Sequence, residues 1–545
     1  MLEHFRLGKL LPFRPLSISV YKLNGLLALW FLIAYNLPFL KELWIAIGDK
    51  NSISIMLLLA VSTCLLLLNC LLILCINIKS IFRPSLTLLF LISSILLYSN
   101  STGKQYNPFA FELSQWFAGT GRFLTFGFAC TFIFLFLLPV TVLWKIDIRW
   151  ASAKSHILKT VGATLLVCSL IVTIYQLTEH RIRPFYQATR SALVNVIPAH
   201  FIDSSFKYLQ HQYFEPVHTF SILDNAPSFI GKRQNTTVVL MVGESIRADV
   251  FNANNLLSLE QREGQKSSLA ACDTYSESST QCIFSFLPLA GFNDQLASHQ
   301  QNVIDLLALS GVNIYWLSNH RSCGDLCARA NVYERRLECE HKPCFDHELI
   351  DILLNDILND AVNPDAPNLI VIQTQNIGSP LYSRFYPREY ATNLPECDTL
   401  LVTNCDNSEL LNSYQNAMNY IEFVLMRANF RLNEFHSQHP SNKTALIFTA
   451  KFGESLGEKG LYFHGSPKSV APKEQLLVPL FIVDDNLPID CLPKLGGKLS
   501  HDVLSHTLLG YFHIRTKVYS PRYDIGALCE QQPIEKAAPI ASLSQ

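Results

Sequence analysis

The sequence predicts two dissimilar parts: an N-terminal bundle of five transmembrane helices over residues 1–180 and a C-terminal α/β domain over 236–545, joined by an amphipathic connector over 181–235. Three observations predict this. Nearly all the long apolar runs fall in the first 180 residues. From Thr236 onward, short β-branched and aliphatic runs alternate with helical patterns, the signature of a parallel sheet covered by helices. The cysteines also segregate, with ten of the 15 lying after residue 270.

A helix needs about 20 apolar residues to cross about 30 Å of hydrocarbon. Five runs are candidates: Leu23–Leu40, Ile53–Ile76, Leu86–Tyr98, Phe123–Trp144 and Ile157–Leu177, the third being short and needing its flanks. The first is followed by four more and lacks a small-residue cleavage site, so it reads as an anchor and not as a signal peptide. Short cytoplasmic loops retain Lys and Arg. One alternate set of connections carries Arg6, Lys9, Arg14, Lys22, Lys79, Arg83, Lys145, Arg149, Lys154 and Lys159, and the other only Lys41, Lys50, Lys104 and Arg122. The N-terminus is therefore expected in the cytoplasm, and five crossings deliver the C-terminal domain to the opposite side of the membrane.

Cysteine spacing agrees with that topology. Cys64, Cys70, Cys75, Cys130 and Cys168 lie in apolar runs, where a thiol is a small buried side chain. The rest form close pairs, Cys272 with Cys282, Cys323 with Cys327, Cys339 with Cys344 and Cys397 with Cys405, leaving Cys491 and Cys529. An even set in such pairs is expected of a disulfide framework in an oxidising compartment. The rival reading, a zinc cluster, lacks finger-type spacing and histidine partners. A net charge of −1 without a basic tract gives no electrostatic reason to propose nucleic acid as a partner, and none is expected.

The connector carries Arg181, Arg183, Arg190 and three prolines among the amphipathic segments Ala192–Ile197 and Phe201–Leu209, and reads as lying along a membrane surface. Beyond it the strand candidates are Thr237–Val242, Val312–Leu317, Leu369–Thr374, Ala445–Thr449 and Val478–Val483. The helix candidates are Gln301–Leu309, Glu348–Leu358 and Glu409–Asn433. In such folds chemistry collects where strands end.

Three segments fit that rule. The first strand runs into Gly243-Glu244-Ser245, then Arg247 and Asp249; a carboxylate there suits a cation, and Glu244 or Ser245 suits a helix cap equally well. Cys272–Cys282 encloses a hydroxyl-rich loop, which reads as a rigid arch for a nucleophile or as a solvated surface loop. After the fourth strand come Lys451-Phe452-Gly453-Glu454-Ser455-Leu456-Gly457-Glu458, then His464, then Ala471-Pro472-Lys473-Glu474-Gln475.

Taken in order, these segments resemble the phosphoethanolamine transferases that modify lipid A, including the colistin-resistance enzymes. The likeness covers most of the chain, from the apolar spans through Gly-Glu-Ser-x-Arg, the Cys-bounded loop, Gln301-Asn302-Val303, the Cys397/Cys405 pair and Gly-Glu-Ser-Leu-Gly-Glu to Ala-Pro-x-Glu-Gln. It implies an alkaline phosphatase or sulfatase fold. It also implies a reaction in which a hydroxyl, activated by zinc, takes phosphoethanolamine from phosphatidylethanolamine and passes it to a lipid A phosphate. By this resemblance Glu244 is a zinc ligand, Ser276 falls at the nucleophile and ligand position, and His464 is an active-site histidine.

Three departures qualify it. Lys451 and Phe452 stand where the family carries an Asp-His pair of zinc ligands. The segment Asn376–Pro380 lacks the family's histidine, and Asn100–Thr120 keeps only Asn107 and Glu112 of a donor-binding motif. A catalytic zinc takes three protein ligands and an open position, so zinc in the usual place is not expected. Lys451 is expected to pair with Glu244 instead. Three functions remain open at this stage. One is a transferase using Ser276. A second is a catalytically inactive relative that binds lipid or pairs with an intact homologue. The third is another phosphoryl or sulfate-ester chemistry on the same fold.

Overall fold

The structure is a computed structural model that describes residues 17–46, 52–101, 126–188, 196–199, 202, 219–253, 264–319, 322–338, 344–375, 377, 381–399, 402–496 and 499–530. The chain divides into two compact units, Met1–Pro216 and Val217–Gln545. The expected connector falls partly outside the described residues, and Asn107, Glu112, Asn376, Gly378 and Cys339 fall outside them.

The first unit is helical. Three helical stretches are long and apolar enough to span a membrane, Val20–Lys41, Ile55–Cys75 and Ala153–Leu177, and two shorter apolar helices cover Phe82–Leu97 and Ala129–Lys145. Large apolar side chains point outward along them: Leu158, Leu165 and Leu177 are 73%, 66% and 75% exposed. Such a surface is stable against lipid and unstable against water. The inner side packs Phe31, Tyr35 and Phe90, with Phe31 stacked on both others at 5.1 Å.

Asn36 and His156 are polar groups paired inside this unit, as a medium without water favours. Asn36 is fully buried; its Nδ2 donates to the carbonyls of Phe31 at 2.9 Å and Ile197 at 2.6 Å, and its Oδ1 accepts from Ile197 N at 3.0 Å. His156 bridges Tyr21 Oη and the Asn77 carbonyl, each at 2.9 Å. Replacing Asn36 by Ala strands backbone groups at Ile197, and a buried unpaired group costs about 1–3 kcal/mol. The Asn36→Ala protein is therefore expected to melt measurably below wild type in detergent.

The second unit is built on one eight-stranded sheet. In chain order its strands are β1 Thr236–Gly243, β2 Gln265–Ala270, β3 Asn313–Ser318, β4 Val332–Arg336, β5 Asn368–Gln373, β6 Lys443–Ala450, β7 Leu477–Val483 and β8 Leu499–Ser500. They lie in the order β8-β2-β7-β6-β1-β5-β3-β4. Every residue of β1 and β5 is buried, which suits strands covered on both faces. The sheet corrects the parallel expectation at one strand, because β7 runs antiparallel to both β6 and β2. A parallel return needs a crossover of a dozen or more residues spanning the sheet. Residues 451–476 hold only short elements and stay at one sheet end, so the chain re-enters from the edge it left.

The flanking helices follow local signals. Helix α1, Ser276–Phe284, begins directly behind the hydroxyl-rich loop. Helix α2, Val303–Leu309, is opened by a capping box between Asn302 and Asp305. Helix α3, Asn407–Gln438, is opened by another between Asp406 and Glu409, and lays Tyr414, Ala417, Met418, Ile421 and Leu425 on the core. Disulfides join Cys272 to Cys282, Cys323 to Cys327, Cys397 to Cys405 and Cys491 to Cys529. Among the described residues the free thiols are the five in the apolar helices.

Candidate active site

Strand register creates the centre of the site. β1 and β6 are parallel neighbours with Gly243 opposite Ala450, and the ladder continues with Lys451 N donating to the Gly243 carbonyl at 2.9 Å. The next residue on each strand, Glu244 and Lys451, therefore emerges beside the other. Lys451 Nζ lies 2.7 Å from Glu244 Oε1, with the lysine side chain 1% exposed and the glutamate 17%. Ser276, first residue of α1, closes the triangle: its Oγ donates to Glu244 Oε1 at 2.9 Å and accepts from Lys451 Nζ at 3.2 Å.

The Ser276 loop is held on several sides. The Cys272–Cys282 disulfide ties its ends, Thr274 Oγ1 donates to the Ser466 carbonyl at 2.6 Å, and Ser278 donates to Asp273 and Asp294. His501 links the loop to the sheet, its Nδ1 accepting from Cys272 N at 3.3 Å and its Nε2 donating to the Ala450 carbonyl at 2.9 Å. Those roles require a neutral ring, and burial lowers the His501 pKa to about 4.

His464 joins the triangle through Ser245, the neighbour of Glu244. Its Nδ1 lies 3.0 Å from Glu454 Oε2 and 3.3 Å from Ser245 Oγ. Glu454 is fully buried and also accepts from Tyr382 Oη at 3.1 Å. Phe452 is fully buried with its ring 4.3 Å from that of His464, so an apolar face stands where the resemblance places a ligand. Ser245 has φ +60, a left-handed conformation costly for a side-chain residue, and it is pinned by Tyr414 Oη donating to its carbonyl at 2.8 Å.

The two Gly-Glu-Ser segments brace one another. Arg247 makes a two-bond pair with Asp249 and reaches Glu458 at 2.6 Å. A Cβ on Gly453 would lie 2.0 Å from the Glu474 carbonyl oxygen, so only glycine fits. Gln475 accepts from Ser466 N and donates to the hydroxyls of Ser455 and Ser466. The Ala-Pro-x-Glu-Gln segment thus locks the loop carrying His464.

A cavity of about 360 Å³ opens beside the triangle, lined by Ser276, Lys451, Thr280, Asn302, Trp316 and Arg329 among others. The structure thus brings Glu244, Ser276 and Lys451 into direct contact, with His464 and Phe452 one residue away. Reading by motif missed Glu454, His501, Tyr382, Tyr414 and Arg329; Glu454 alone had a signal, its place inside Gly-Glu-Ser. Zinc does not fit these residues. An ammonium occupies the wedge between the two candidate ligand oxygens, and among the described residues no group of three or more His, Cys, Asp or Glu could hold a metal ion.

Comparison with known proteins agrees with this architecture. The family model described as Sulfatase matches residues 236–514, more than half the chain, and the chain belongs to that family. A second family model, described as Phosphoethanolamine transferase EptA/EptB, matches residues 117–213. Phosphoethanolamine transferase EptA of Escherichia coli (strain K12) is 27% identical over 414 residues, 71% of this chain and 74% of the relative. Phosphatidylethanolamine transferase Mcr-1 of Escherichia coli is 24% identical over 527 residues, 91% and 96% of the two chains. The integral membrane lipooligosaccharide phosphoethanolamine transferase A (EptA) from Neisseria meningitidis shares the fold, with a TM-score of 0.60 at 20% identity over 94% of this chain and 99% of that one.

Two outcomes are expected. Lys451→Ala removes the ammonium paired with a largely buried carboxylate, and breaking such a pair costs about 3–5 kcal/mol; thermal or denaturant unfolding measures it, and an unchanged midpoint refutes the pair's role. The His501 pKa is lower folded than unfolded, so the unfolded chain binds more protons between about 6.5 and about 4. Stability from this neutral histidine is full above pH 6.5 and is lost on acidification through that window. His501→Gln should be less stable at neutral pH, with a shallower fall in Tm between pH 6.5 and pH 5.

Proposed function

We propose that this chain transfers phosphoethanolamine from phosphatidylethanolamine to a phosphate of lipid A or a related glycolipid, with Ser276 as the nucleophile. The observation that carries the reading is the Ser276 hydroxyl held between a carboxylate and an ammonium at the wall of a cavity. The family and the named activities of its relatives supply the substrate class.

The geometry supports a two-step sequence. Ser276 Oγ attacks the phosphorus of phosphatidylethanolamine, and its proton passes to Glu244, to which it already donates. The P–O bond to diacylglycerol breaks, and the departing oxygen leaves with a proton from His464, which is then reprotonated by solvent. Lys451 stabilises the charge that develops on Oγ, to which it donates at 3.2 Å. A lipid A phosphate oxygen then attacks the same phosphorus, the Oγ–P bond breaks, and Oγ recovers its proton from Glu244.

The same reading places the five apolar segments across a bacterial inner membrane, with the N-terminus cytoplasmic, the connector along the surface and the sulfatase-like domain periplasmic. Support comes from the one-sided distribution of Lys and Arg and from the disulfides of the second unit.

Lipid A mass spectrometry after expression in a strain lacking its own transferases tests the reaction. Wild type is expected to give a phosphoethanolamine adduct that disappears with Ser276→Ala. That variant retains the Glu244–Lys451 pair and should lose only about 1 kcal/mol of stability. A folded wild-type protein that gives no adduct overturns the reading in favour of a catalytically inactive relative.

A further inference from the structure

We infer that the Lys451 ammonium is a built-in replacement for the divalent cation that the fold implies, so that this site is complete without metal. The inference deepens the proposed transferase reading by naming what neutralises Glu244 and meets the phosphoryl group.

The geometry is that of substitution. Glu244 Oε1 and Ser276 Oγ lie 2.9 Å apart, a separation that a single cation can bridge. Zinc bonds oxygen at about 2.0–2.2 Å, so an ion bridging the two on the lysine side would fall about 1 Å from Nζ. Nζ itself stands 2.7 Å from one oxygen and 3.2 Å from the other, hydrogen-bond distances for an ammonium. The two species cannot share that space.

Burial fixes the lysine there. Its side chain is 1% exposed, and its backbone N–H extends the β1–β6 ladder, so the stem is anchored at the strand end. Withdrawing the ammonium for a metal would bury a second positive charge beside the first. Phe452, packed on His464, removes the neighbouring position as a ligand as well.

An ammonium carries three donors. Glu244 and Ser276 take two, and Lys451 lines the cavity beside them. The third donor is the one available to a phosphoryl oxygen entering that cavity. The ligand class is a phosphodiester or phosphomonoester headgroup, met by a hydrogen-bonding point charge in place of a Lewis acid.

The test uses the full chain purified in detergent. Wild type is expected to hold no stoichiometric zinc by elemental analysis, and its Tm should move neither with added zinc nor with a chelator. Lys451→Asp/Phe452→His restores the Asp-His pair, and it is expected to bind about one zinc per chain and to gain Tm when zinc is added. About one zinc in wild type, or a wild-type Tm that falls with chelator, overturns the inference; so does a folded double variant that takes no zinc. Should the double variant not fold, the wild-type measurements decide alone. Failure here is distinguishable from failure of the proposed function. A zinc-free protein that makes no lipid A adduct removes the transferase reading and leaves this one standing, and a zinc-loaded protein that makes the adduct does the reverse.

Discussion

A carboxylate at the end of a fully buried parallel strand, held largely out of water, is stabilised by a cation set beside it. Glu244 is in that position, and its partner is set by register: Gly243 faces Ala450, so the next residues along β1 and β6 must meet. The Lys451–Glu244 contact at 2.7 Å follows from that adjacency. Ser276 arrives from a different part of the chain and completes the triangle, which is why so much of the surrounding structure serves to hold one loop.

The bracing is unequal in kind. Covalent closure by Cys272–Cys282 limits the loop's freedom, but its placement against the sheet depends on neutral His501, which accepts from Cys272 N and donates to the Ala450 carbonyl. On the other side, Gln475 and Gly453 hold the segment that carries Glu454 and His464. The strained Ser245 backbone is tolerated because Tyr414 donates to its carbonyl and accepts from Arg247 N. These contacts let a site assembled from three distant segments behave as a rigid one.

Much of this was legible beforehand where the signal was local. The close pairs Cys272–Cys282, Cys323–Cys327 and Cys397–Cys405 followed from spacing, whereas Cys491 and Cys529 were only left over; five of the eight strands followed from runs of β-branched and aliphatic residues. Strand β2, with its Gln, Lys and two Ser, has too little apolar character to announce itself, and β7 reads as a strand without revealing its direction. Direction depends on how residues 451–476 are used, and they are used for the site. His501 was invisible for a similar reason: nothing near it in sequence suggests that both ring nitrogens are committed to backbone groups 51 and 229 residues away.

Position 451 decides the character of the site by the sign of its charge. A carboxylate there would stand against Glu244 with like charge, and two buried anions at such a distance require a divalent cation between them. An ammonium at the same position requires nothing further, since it neutralises Glu244 and donates to Ser276 with one group. What it gives up is polarising power, because a single charge spread over three N–H bonds lowers a hydroxyl's pKa less than a metal ion does. In the proposed reaction the carboxylate acts as the base that the metal would have made less necessary. Ser276 already donates to Glu244 at 2.9 Å, so the geometry for that exchange of roles is in place before any substrate arrives.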